Sequence, residues 1–348
     1  MRVVVIDGDG IGGGATAAGM GHVVVMDDSE AQFALTRYSQ QLWLEMRSEL
    51  PPEVEYAQCG TIWVAADAVE MAEVRRKENY YRQRGVPVEV LDAGELASLE
   101  PNLRRGLAGG LLVREDSVLY PPCAAKFLIE RAQTNGTALC LGSAVSEMGQ
   151  GRVRTADGKQ FLAKTIVNAT GTGASELTPG LDIKKRKGHL VITDRHPGFV
   201  RHQLVELGYL KSAHSSTRDS VAFNVQPRKT GQVLIGSSRQ YDADHKEVDN
   251  GILVRMMQRA EQYMPGIKAL SAIRVWTGFR AATSDQLPLI GPCPWDATVY
   301  LATGHEGLGI TTSLATARLV VDQITQTESA ISPQPYLPSR MRRTTPTI

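Results

Sequence analysis

The chain opens on a β-branched run, Met1-Arg-Val-Val-Val-Ile-Asp7, whose acid end predicts a buried parallel strand. Glycine dominates from Gly8 to Gly21. From Ser29 to Leu50 the apolar positions Leu35, Tyr38, Leu42, Met46 and Leu50 recur every three or four residues, and Ser29 with Gln32 suits a capping box, so an amphipathic helix is expected there. Thr61–Ala65 reads as a short strand and Val69–Arg84 as a charged helix, followed by extended Val86–Val90 and a helix start at Asp92-Ala-Gly-Glu-Leu96. Gly106–Val113 is apolar and rich in glycine. Tyr120-Pro-Pro122 opens a helix that Asn135-Gly136 ends with a left-handed stop. Strands at Ala138–Leu141 and Thr165–Ala169, with an Asp157-Gly158 turn between them, complete a second α/β stretch.

From Gly188 the pattern turns to β-type segments, His189–Thr193, Val221–Val225, Gln232–Gly236 and Ile273–Thr277, with one amphipathic helix near Ile252–Met264. The chain returns to α/β at Val299–Gly304, turns through Gly307 and Gly309, and enters a helix over Thr311–Gln326. A Pro-rich tail after Ser332 is expected to strap the surface.

Composition narrows the function. The 348 residues can bury a large core, and 38 Lys plus Arg against 37 Asp plus Glu leave no excess field for nucleic acid or an anionic membrane. No apolar run reaches the roughly 20 residues of a membrane span, and Asp7 and Asp9 interrupt the one hydrophobic start, so a cytoplasmic protein is expected. Cys59, Cys123, Cys140 and Cys293 are widely spaced and form no metal or disulfide pattern; no metal site is expected.

Gly8-Asp-Gly10-Ile-Gly-Gly13 satisfies G-x-G-x-x-G after a strand, the pattern that lets a pyrophosphate approach a helix N-terminus. Yet only about eight residues separate Gly13 from the apolar run His22–Met26, where a parallel crossover needs roughly a dozen or more. The favoured register instead makes Val3–Ile6 a second strand, with Asp7 as a ribose-binding acid and Gly12–Met20 as a loop running past a cofactor. It implies that the first strand, its glycine fingerprint and its helix are absent.

The rest of the chain supports that register. Gly12–His22 resembles the loop after the second strand in the D-amino-acid-oxidase family of FAD enzymes, nearest the bacterial D-hydroxyproline dehydrogenase and glycine oxidase branch. Ile166-Val-Asn-Ala-Thr-Gly171 resembles the family's later strand and cofactor turn, and Val145 is similar to the valine whose backbone meets the adenine. Trp276-Thr-Gly-Phe-Arg280-Ala-Ala-Thr-Ser-Asp285-Gln-Leu-Pro288-Leu-Ile-Gly291 is the sharpest match, to W-x-G-x-R-P-x-T-x-D-x-x-P-x-I-G, with Ala281 in place of the proline. Gly304-His-Glu-Gly-Leu-Gly-Ile-Thr311 is similar to the closing G-H-x-x-x-G loop at the flavin edge.

The resemblance implies an α/β fold with an α+β insert: an FAD-binding Rossmann-like domain (1–60, 115–187 and 285–330) with its first βαβ unit incomplete, a mostly antiparallel substrate domain (61–114 and 188–284), and a tail (331–348). It implies FAD contacts at Asp7, Gly13, Ala15, Thr16, Ala18, Gly19, Met20, Val145, Ala169, Thr170, Gly171, His305, Gly307, Leu308, Gly309, Ile310 and Thr311. Arg280 would hold a substrate carboxylate, Glu306 could meet the substrate amine, and Tyr241 could cover the substrate. The chemistry agrees. A planar bidentate carboxylate suits a guanidinium, and a helix opening near Gly309–Thr311 would favour negative charge on a reduced flavin. Hydride transfer from the substrate α-carbon to flavin N5 needs orientation rather than a dedicated base.

The expected activity is FAD-dependent oxidation of a D- or cyclic imino acid such as D-hydroxyproline, giving an imine. Glycine or sarcosine oxidation is the near alternative, and a flavin-free chain acting only as a subunit is the rival from another class. The expected partners are a small amino or imino acid, with electron-accepting subunits or a homo-oligomer also open.

Overall fold

The computed structural model describes residues 1–208, 219–241 and 243–341; within the expected substrate domain and tail, 209–218, 242 and 342–348 lie outside the described residues. β1 (Val4–Asp7) runs parallel to β7 (Ala138–Leu141), with Val4 opposite Ala138 and Asp7 opposite Leu141. β7 is its one strand partner among the described residues. The buried strand expected at the start is therefore corrected: with one edge unpaired, Val3 and Val4 are each 47% exposed.

The glycine segment, expected as a loop, carries a short helix. α1 (Gly14–Ala18) is one turn, and β2 (His22–Val23) pairs antiparallel with β6 (Ser117–Val118), which excludes a parallel βαβ return from β1. α2 (Glu30–Met46) starts where Ser29 accepts the amide of Gln32. β3 (Thr61–Ala65) leads to α3 (Ala68–Gln83), and β4 (Val88–Asp92) to α4 (Ala93–Leu99), where Asp92 and Glu95 complete a capping box. β5 (Gly109–Val113) precedes α5 (Pro121–Thr134), which ends at Gly136 with φ +88.

After β7, a meander of β8 (Val145–Gly149), β9 (Arg152–Thr155) and β10 (Gln160–Leu162) leads to β11 (Ile166–Asn168) and the short α6 (Ala174–Leu177). β11 pairs in parallel with β18 (Asp296–Thr303), and β18 pairs antiparallel with β17 (Leu289–Cys293). The parallel layer thus falls into two pieces, β1 with β7 and β11 with β18.

Among the described residues the main sheet has eight strands. It adds β12 (Lys184–Arg195), β13 (Gln203–Glu206), β14 (Ser220–Pro227), β15 (Gln232–Arg239) and β16 (Ala272–Ala282) in the order β16-β12-β15-β14-β13-β3-β5-β4, antiparallel throughout except for β13 with β3. Because side chains alternate across a strand, each strand gives one face to each side of the sheet. Ile62, Leu204, Val225, Ile235 and Val191 point to one side and form a core with Met256, Ala260 and Tyr263 of α7 (Asn250–Tyr263). Tyr263 stacks on Phe223 at 4.6 Å between centroids, an arrangement worth about 1 kcal/mol beyond its buried area. The other face, bearing Trp63, Val205, Asn224, Leu190 and Arg280, bounds a cavity.

α8 (Gly309–Thr325) closes that cavity and packs Ala315 and Leu319 against Leu35 of α2. The tail is more than a surface strap. Tyr336 is buried and its hydroxyl donates to the carbonyl of Ala31 at 2.6 Å, while Arg340 pairs with Asp285 at 2.7 Å.

Candidate active site

The cavity, about 730 Å³, lies between the main sheet, the glycine segment around α1 and the start of α8. Its size falls within the usual range of small-molecule sites, roughly 300–1,000 Å³. Pairing between β12 and β16 builds one corner of it: Arg186 stands opposite Arg280, Gly188 opposite Gly278, and Leu190 opposite Trp276. Arg280 Nη1 donates to the carbonyl of Ser238 at 2.9 Å. Its guanidinium lies against Gly188, where an added Cβ would come within 2.7 Å of both terminal nitrogens.

The loop before α8 covers this corner. Glu306, at φ +48, binds Arg186 at 3.0 Å and Arg239 at 3.3 Å. Burial alone would raise its carboxyl, but the charges of Arg239, Arg186 and Arg280 outweigh that effect and hold it below the ordinary carboxylate range. The Glu306 carboxylate is therefore committed to guanidinium groups. His305 bonds Thr316 Oγ1 through Nε2 at 2.9 Å, and burial lowers its pKa to about 4, so it is a neutral imidazole at pH 7. His22, on the cavity wall, is lowered to about 4 by the same cause.

Of the residues singled out in the sequence, Arg280, Glu306, Ala15, Thr16, Ala18, Gly19, Met20, Ala169, Gly171, His305, Gly307, Leu308, Gly309 and Ile310 come together around the cavity. The others do not line it. Asp7 is exposed and accepts the amide of Asp9, Gly13 precedes α1, and Val145 starts β8 opposite Thr155. Thr170 bonds Asn168 at 2.7 Å. Thr311 sits behind the wall and donates to the carbonyl of His22 at 2.9 Å, tying α8 to β2. The Tyr241 ring lies 5.0 Å from the Arg186 guanidinium carbon.

Arg186, Gly188 and Arg239 form part of this corner and were not singled out in the sequence. Arg186 sits in Lys184-Lys-Arg-Lys187, which reads as a solvated charge run, and only the long-range pairing of β12 with β16 turns it inward. A β-type strand ending in arginine directly after a Ser-Ser pair, as in Ser237-Ser-Arg239, is the available but weak signal.

The walls suit a flat ring. Small residues of the glycine segment face the sheet so closely that an added Cβ at Gly278 would lie 2.3 Å from Ala18 Cβ, and one at Gly19 would lie 2.8 Å from Ile310 Cδ1. A Cβ on Gly171, at φ +60, would project into open space. α8 begins without a side-chain cap, so its first-turn amides and positive dipole end can serve an electron-rich ring edge.

Residues 1–323 match the family described as DAO, FAD dependent oxidoreductase. The chain belongs to that family. It is an FAD-dependent oxidoreductase similar to glycine oxidases, and FAD held in this cavity would supply the redox chemistry. It is 25% identical to a glycine oxidase of Geobacillus kaustophilus over 354 residues, covering 96% of this chain and 89% of that protein. The crystal structure of glycine oxidase from Geobacillus kaustophilus superposes with a TM-score of 0.86 at 25% identity, over 98% of this chain and 92% of that one. L-proline dehydrogenase from P. horikoshii shares the fold, with a TM-score of 0.85 at 21% identity over 97% of this chain and 91% of that one. Among the described residues no helix is long and apolar enough to cross a membrane, and no cluster of His, Cys, Asp or Glu could hold a metal ion.

Proposed function

We propose that the chain oxidises the C–N bond of a small amino or imino acid, transferring hydride from the α-carbon to FAD and releasing an imine. The observation that carries this reading is the placement of Arg280: it lines the cavity beside the Gly307–Ile310 entry to α8, where a carboxylate and a flavin ring could both be held. Arg280 binds the carboxylate, and that bond fixes the α-carbon against the ring; orientation of this kind is worth several orders of magnitude in rate. The small residues of the glycine segment and the first turn of α8 hold the flavin. Glu306 pairs with Arg186 and Arg239 and offsets part of their charge beside Arg280.

A cyclic imino acid such as D-hydroxyproline is the proposed substrate, with glycine or sarcosine as the alternative that the glycine oxidase relative favours. The test is the visible spectrum of the FAD-reconstituted chain under anaerobic conditions, before and after each of these amino acids. Bleaching by D-hydroxyproline ahead of glycine and sarcosine supports the proposal. Bleaching by glycine alone replaces the substrate, and no bleaching by any of them overturns the reading.

A further inference from the structure

We propose that His189 and Ser238 form a positioning pair that fixes the angle of the Arg280 guanidinium, so that carboxylate affinity depends on a histidine that touches no substrate. The inference rests on the reading of Arg280 as the carboxylate anchor.

Both residues are buried, on the neighbouring strands β12 and β15. The Ser238 carbonyl accepts Arg280 Nη1 at 2.9 Å, so the orientation of that peptide sets where the guanidinium points. Two bonds from one residue hold the Ser238 side chain: the His189 amide donates to Ser238 Oγ at 2.9 Å, and His189 Nδ1 lies 3.0 Å from the same oxygen. At its far edge the His189 ring accepts the backbone amide of Asp249 on Nε2 at 3.0 Å.

That last bond settles the tautomer. Nε2 must carry the lone pair, so in a neutral ring the proton sits on Nδ1, which donates to Ser238 Oγ. The surroundings keep the ring neutral. Burial lowers its pKa, the nearby charge of Lys187 lowers it further, Asp249 opposes, and Arg280 adds to the lowering. Asp249 is fixed in turn, because it caps α7 by accepting the amide of Ile252 at 3.0 Å and takes a bond from Gln240 at 3.2 Å. The chain of contacts runs from the cap of α7 through His189 and Ser238 to Arg280. A ring held at both edges cannot rotate, and its two bonds to Ser238 Oγ fix the Cα and Cβ of the residue whose carbonyl holds Arg280.

A purely structural histidine would predict the same loss from every substitution, whereas a positioning pair predicts a split. His189→Asn keeps a donor where Nδ1 sits and loses the acceptor for Asp249; His189→Phe loses both; Ser238→Ala loses the shared oxygen. Each variant would be reconstituted with FAD beside Arg280→Met, and acetate affinity measured by calorimetry together with the melting temperature. The expected result is that His189→Phe and Ser238→Ala weaken acetate binding roughly ten- to hundredfold, on the scale that misplacing a positioned group by about an ångström costs. His189→Asn should recover most of that affinity while melting as low as His189→Phe. If Arg280→Met abolishes acetate binding but His189→Phe and Ser238→Ala bind acetate like the parent, the positioning role is overturned and the anchor stands. If His189→Asn restores melting and affinity together or neither, the pair is structural only. If Arg280→Met itself binds acetate normally, the anchor reading fails first.

Discussion

The guanidinium of Arg280 lies against the backbone of Gly188, in space that a single methyl group would take: an added Cβ would stand 2.7 Å from Nη1 and from Nη2. Gly188→Ala therefore displaces the end of a flexible side chain and leaves the sheet intact. The expected outcome is a KM for amino-acid substrates raised roughly ten- to hundredfold with the melting temperature nearly unchanged. Steady-state kinetics beside a thermal melt would check it, and an unchanged KM would show that the carboxylate binds elsewhere.

Gly278 faces α1 in the same way, but the neighbour is less forgiving. A Cβ there would lie 2.3 Å from Ala18 Cβ, so Gly278→Ala pushes the glycine segment off the sheet at a cost of about 1–3 kcal/mol. Loss of bound FAD on gel filtration is expected. Ala18→Gly in the same chain removes the clash, and the double variant should keep its flavin; failure of that rescue would place the cofactor away from this seam.

Glu306 is held by Arg186 and Arg239 rather than left for a substrate amine. Glu306→Gln strips the neutralising charge from a mostly buried cluster, which should cost about 3 kcal/mol of stability. It should also lower KM for the carboxylate substrate, because Arg280 then stands in a more positive field. A raised KM would mean that Glu306 meets the amine instead.

Acid and base act on different buried groups. His22 and His305, each lowered to about 4 by burial, refuse protons that the unfolded chain accepts near 6.5, so stability falls as the pH drops from about 6.5 to 4. Asp116 acts with the opposite sign. Burial pushes its carboxyl up to about 7 against an unfolded value of 3.8, so stability falls as the pH rises through that window, by roughly 1.4 kcal/mol per unit. Its Oδ1 accepts the Val25 amide at 3.1 Å and Gln40 Nε2 at 2.8 Å, bonds that an asparagine oxygen can keep. Asp116→Asn should raise the melting temperature at pH 8 and leave it nearly unchanged at pH 4. Equal shifts at both would place the ionisation elsewhere.

Much of this is legible in the sequence, and the division has a physical cause. Helix ends are local: Asp92 with Glu95 and Asn135 with Gly136 mark their caps within four residues of chain. Arg280 stood out because its whole setting, Trp276–Gly291, is one continuous segment. Arg186 and Gly188 reach the same corner from some ninety residues away through strand pairing, which composition does not encode, and the charge run around Arg186 concealed it. The first strand misled in the other direction. Val3, Val4 and Val5 have the character of a buried strand, but burial depends on neighbours, and β1 has one strand partner among the described residues.

The tail carries a consequence of its own. Arg340 also donates to the carbonyl of Leu287 at 2.6 Å, and with its bonds to Asp285 it grips the segment that follows Arg280 in the chain, while Tyr336 is anchored at the first turn of α2. The carboxy-terminal segment is thus a clasp between the loop that follows the Arg280 strand and a helix from the opposite end of the sequence. A proteolytic cut near Pro333 would loosen that loop from a distance, so intact mass should be verified before any loss of turnover is blamed on the cavity.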